Sequence, residues 1–166
     1  MKKWLLILGC SLALCGCTDS NIVAPGGELS PDFETRAGIE LDWEQAFADM
    51  DSTYIDDKEA INIGYFLNEE EDGSETIYIT AIVEPGTTKS DAANLGTRLV
   101  KSLNDFLAEQ DFSYEQSGES TYGGIISRYN IGVRVLAEDK TESAEQALVN
   151  DLIKIGDEYR AVAPNK

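Results

Sequence analysis

The chain has 166 residues, 31 of them acidic and 13 basic, with no histidine, three cysteines and a formal net charge of −18. The lack of histidine excludes Ser-His-Asp and Cys-His nucleophilic sites and nearly all zinc sites. The acidic excess repels phosphates, so nucleic acid is not an expected partner; cations, basic peptides or basic proteins are, unless the charge serves solubility alone.

Met1-Lys2-Lys3 is a short positive start, and Trp4 to Leu14 follows without a charge. A positive segment followed by about 7–15 apolar residues reads as a secretory signal, and this run is too short for the roughly 20 residues of a spanning helix. The next residues, Leu14-Cys15-Gly16-Cys17, resemble the lipobox of bacterial lipoproteins: an aliphatic residue, two small ones, then cysteine. Cys15 departs from that pattern, in which Ala or Ser is commoner. The resemblance covers only the first 17 residues. It implies removal of residues 1–16, diacylation of Cys17 through sulfur, and Cys17 as the new N-terminus. Ile7-Leu8-Gly9-Cys10 also fits the pattern but would leave too short an apolar core. Two acyl chains anchor durably where one does not. The expected product is held to the cell membrane or outer membrane, facing outside the cytoplasm. Loss of Lys2 and Lys3 takes its net charge to −20, and Cys17 becomes its only cysteine, so no disulfide can form within it.

Residues 17–38 are expected to form the lipidated N-terminus and a flexible tether. Thr18 to Gly38 carries Pro25, Gly26, Gly27 and Pro31 and shows no apolar period. Such a coil spans roughly 25 Å root-mean-square. Alternatively, part of it packs on the domain through Phe33.

Residues 39–166 are expected to fold as one α+β domain. Asp42, paired with Gln45, caps a helix whose stripe is Trp43, Phe47, Met50 and Tyr54. Ala60–Asn68 and Glu75–Glu84 alternate as strands around an Asp72-Gly73 turn, and Pro85-Gly86 ends the second. Thr88 with Asp91 opens a helix whose stripe is Leu95, Leu99, Leu103 and Phe106. Phe112–Gln116 reads as a short strand, Ser117–Gly124 as a mobile polar loop and Tyr129–Leu136 as a strand. A final helix is expected from Thr141 or Asp139, with Ala144, Leu148, Leu152, Ile155 and Tyr159 inward. Thr88, Leu95 and Leu99 echo Thr141, Leu148 and Leu152 at an offset of 53, as a tandem duplication would.

The implied architecture is a four-stranded, mainly antiparallel sheet with two long helices on one face, in the order β-β-α-β-β-α after a short N-terminal helix. Strand alternation then places Phe66, Tyr78, Ile82 and Arg134 on the opposite face, with Thr80, Gly132 and Leu136. This face is covered by the Trp43–Tyr54 helix, the expected case, or is a binding face for a partner. Glu69-Glu70-Glu71-Asp72 lacks the spaced ligands of a calcium loop, and Tyr122-Gly123-Gly124 lacks the lysine and helix of a phosphate cradle. No metal, cofactor or catalytic residue is therefore assigned. The expected function is a non-enzymatic binding module of the cell envelope. The alternative is a carboxylate-dependent enzyme acting on the cell wall, which requires a cleft with converging acids.

Overall fold

The structure is a computed structural model that describes residues 39–141 and 144–166. Cys17, the expected leader and the expected tether lie outside the described residues. The fold is α+β, in the order α1 (Trp43–Asp56), β1 (Asn62–Glu69), β2 (Glu75–Val83), α2 (Lys89–Gln110), β3 (Asn130–Ala137) and β4 (Val149–Ile153). The strands lie in the order β1-β2-β3-β4. Both outer pairings are antiparallel, and β2 runs parallel to β3.

Capping and periodicity account for the two helices. Asp42 Oδ1 accepts the Gln45 N–H at 2.9 Å, and Thr88 Oγ1 accepts the Asp91 N–H at 3.1 Å; each satisfies an N–H that a helix start leaves without an internal partner. The α1 stripe buries Ala46, Phe47, Met50 and Tyr54. In α2, Leu95, Leu99, Val100, Leu103 and Leu107 are buried. The β1–β2 hairpin turns at Gly73, whose φ of 82° lies where side chains are strained.

One expectation about the order fails. The last helix does not exist: its central segment is β4, paired antiparallel with β3. Leu148, Leu152 and Ile155 recur at helical spacing, but Val149 and Ile153, two β-branched residues, are the buried ones, with Asn150 and Leu152 exposed between them. A short apolar run fits either period, and pairing with β3 decides it. The element order is therefore α-β-β-α-β-β, and the 53-residue echo does not mark two helices. The sheet is mainly antiparallel, and its one parallel pair follows from α2, the crossover that brings β3 alongside β2.

Three further readings need correction. α1 does not cover the face bearing Phe66; it lies beside α2 on the other one. Phe47 stacks on Tyr65 with centroids 3.7 Å apart, Trp43 meets the Tyr129 ring edge-on, and Tyr54 Oη and Ser102 Oγ share a hydrogen bond of 2.7 Å. Residues 112–116 form no strand: Asp111 Oδ1 accepts the Ser113 N–H, the Asp111 carbonyl accepts the Tyr114 N–H, and Tyr114 is buried. The 117–124 loop is pinned rather than loose. Asp105 accepts from Ser117, Asn104 donates to the Glu115 carbonyl, and buried Tyr122 donates to the Arg160 carbonyl. The final residues strap the helix side of β4: Val162 packs by Gly96, Pro164 bridges to Val149, and Asn165 donates to the Ala147 carbonyl.

Candidate binding face

With both helices on one side, the opposite sheet face has no helix over it among the described residues. The strand register arranges its side chains in rows. One row is Phe66, Tyr78, Gly132 and Leu152; the next is Gly64, Thr80, Arg134 and Asn150; then come Asn62, Ile82 and Leu136. Directly opposed residues share a face, and alternation keeps them off the helix side.

The first row is apolar and wet. Phe66 is 57% exposed and Leu152 43%. Phe66 stacks on Tyr78 at 4.8 Å, nearly parallel. Tyr78 lies over Gly132, where an added Cβ would stand 2.5 Å from its ring. Gly132 is thus the floor that lets the ring cross β3. Tyr78 Oη donates to Glu70 Oε1 at 3.3 Å. Burial, followed by the charge of Glu70, pushes its phenol up, so it stays a donor. Together with Thr80, Arg134 and Asn150 the row lines a groove of about 270 Å³.

Arg134 is the cation of this groove, exposed and without a salt bridge among the described residues. Asp151, which also lines the groove, is committed elsewhere. Its oxygens take both Arg160 guanidinium nitrogens and the Ala163 N–H. Burial raises the Asp151 carboxyl, but Arg160 and that N–H outweigh it and hold the group below its ordinary range. At the hairpin end, Glu70, Glu71 and Asp72 rim a shallower depression with Ser74, Thr76 and Asn130. Asp72 is held low by the Ser74 hydroxyl and N–H. The face therefore offers an apolar row, a cation beside it and an acidic rim.

Phe66, Tyr78 and Arg134 thus meet in one groove, as strand alternation indicates. Ile82 does not join them: it is half-buried one row beyond Thr80, paired with buried Leu136. Asn150 and Leu152 belong to the groove and are missed when 141–159 is read as a helix; their signal is the Val149–Ile153 alternation. Among the described residues no three Asp, Glu or Cys side chains are grouped to hold a metal ion. Among them, too, no helix is long and apolar enough to cross a membrane. No protein-family model, curated protein or solved structure matches the chain.

Proposed function

We propose that this chain is a lipid-anchored, extracytoplasmic binding module that holds a protein partner on the sheet face bearing Phe66, Tyr78 and Arg134. The observation that carries the reading is the Phe66–Tyr78–Gly132–Leu152 row, which no described helix covers. Fully burying a large apolar side chain contributes roughly 1.5–3 kcal/mol, so leaving Phe66 and Leu152 in water forgoes stability that a partner recovers. The apolar row takes an aromatic or aliphatic anchor, Arg134 takes an acid, and the rim of Glu70, Glu71 and Asp72 takes a basic group. Anchoring rests on the Leu14–Cys17 motif, and the lipid keeps a mature chain of charge −20 near a surface that would repel it.

Two measurements test this. The native protein should take up labelled fatty acid and sediment with membranes, and Cys17→Ser should abolish both. Label that survives this change refutes the anchor. A photo-crosslinking residue placed at Phe66 should give a discrete protein adduct in native membranes, absent when the probe replaces Asn94 on the outer side of α2. Arg134→Glu should remove the adduct. Equal labelling from both positions would show that the face has no partner.

A further inference from the structure

The groove is not the only open feature of this sheet, since among the described residues β1 forms its edge. We infer that two copies of this chain pair β1 with β1 antiparallel, Tyr65 opposite Tyr65, joining their sheets into one of eight strands. Natural edge strands are usually blunted by Pro, Lys, bulges or brevity. β1 runs eight residues, Asn-Ile-Gly-Tyr-Phe-Leu-Asn-Glu, with no Pro or Lys and Glu69 as its one charge. Phe66 and Leu67 are 57% and 43% exposed.

The backbone is set for such a partner. The hairpin closes with the Glu70 N–H donating to the Ser74 carbonyl at 2.8 Å. Residues of an antiparallel ladder alternate between hydrogen-bonded and non-bonded pairs. Even-numbered β1 residues therefore direct their N–H and C=O groups at β2, and Ile63, Tyr65 and Leu67 direct theirs to the open edge. Self-pairing must set odd residues against odd ones.

Three central registers satisfy that rule, and the side chains choose among them. Setting Tyr65 against Tyr65 places Phe66 of each copy over Gly64 of the other, on the groove face. Gly64 has nothing within 4 Å of where a Cβ would stand, so each ring finds an open floor, the arrangement by which an aromatic rescues a strand glycine. On the helix face Leu67 meets Ile63, and within β1 itself no like charges are opposed. The strand ends add no attraction, because the acidic hairpin tip of each copy comes to the end at which the other carries Asp56, Asp57, Lys58 and Glu59. Shifting the register one way sets glycine against glycine. Shifting it the other way brings Glu69 against buried Ile63. Net charge opposes association; confinement of copies to one membrane favours it, a contribution that rests on the lipid-anchor reading.

The test uses the full chain in its native membranes, with membrane sedimentation of the same sample reporting the anchor separately. In the inferred register Asn62 lies opposite Asn68 in a non-bonded pair, with Cα atoms about 4.5 Å apart, inside the range of roughly 4.4–6.8 Å that a disulfide spans. Asn62→Cys with Asn68→Cys in one chain should give a disulfide-linked dimer on mild oxidation. Either substitution alone should not. Adding Leu67→Pro, which removes an N–H that bonds only across the edge, should abolish the dimer and leave protease resistance intact. No dimer from the double variant, equal dimer from the single variants, or a dimer indifferent to Leu67→Pro would each overturn the inference.

Discussion

Asn104 has no exposed surface on the inner side of α2. Its amide nitrogen donates to the Glu115 carbonyl at 2.9 Å, and its oxygen accepts the Ile125 N–H at 2.9 Å. Replacing it by Leu keeps the branched shape but leaves the Ile125 N–H without its partner, while the Glu115 carbonyl still accepts the Gly124 N–H. A buried group left without its partner costs about 1–3 kcal/mol, so Asn104→Leu should lower the unfolding free energy by at least that much in denaturant titration. Two glycines give opposite signs. At Gly96 a Cβ would stand 2.9 Å from Val133 Cγ1 and 3.1 Å from Val162 Cγ1. Ala is worth about 1 kcal/mol over Gly inside a helix, but overpacking a core costs about 1–3 kcal/mol, so Gly96→Ala should lower the melting temperature. Gly64 has open space, and Gly64→Val should raise stability by roughly 0.5–1 kcal/mol.

At the scale of elements, the strap from Asp157 to Lys166 depends on Asp151. That carboxyl is depressed by Arg160 and the Ala163 N–H, so its contribution is present above the ordinary Asp value of about 4 and is lost as pH falls through the lower folded value. Acid should release the strap before the sheet melts, with hydrogen exchange at Val162 rising first. Asp151→Asn should make that release independent of pH in this range.

The same segment shows where sequence is legible. α1 and α2 are readable because cap residues, Asp42 and Thr88, and long stripes agree on one period. β1, β2 and β3 are readable because alternation persists for eight residues or more. β4 has five residues, too few for alternation to outweigh Leu148, Leu152 and Ile155 at helical spacing; its identity is set by hydrogen bonds to β3. The groove was legible for Phe66, Tyr78 and Arg134, which lie on long strands, and illegible for Asn150 and Leu152, which do not. The side α1 takes was not legible either. Its stripe demands a cover without naming which sheet face supplies it; Tyr65, stacked on Phe47 and donating to Asp51 at 3.0 Å, decides the matter. Burial and that carboxylate push the Tyr65 phenol up to about 12, so it remains a donor at neutral pH.

Across the whole molecule, charge is the dominant long-range term. The full chain carries −18, and like charges on a compact body repel. Added salt shortens the Debye length from about 30 Å at 0.01 M to about 8 Å at 0.15 M. The melting temperature should therefore rise over that interval. A flat response would mean that the acids are locally paired, as Glu59 is with Arg98.

The strap of Val162, Pro164 and Asn165 also orders events in time. It closes over Gly96 and bridges to Val149, and it follows every described helix and strand in the chain. A nascent chain emerging from its N-terminus therefore has α1, the first hairpin, α2 and β3 in hand while β3 still lacks its outer neighbour. Its outer backbone groups find no partner until residues 149–153 arrive, and β4 is not fastened until the final residues follow. The described fold therefore cannot close until residues 162–165 have emerged, however early its helices and first hairpin form.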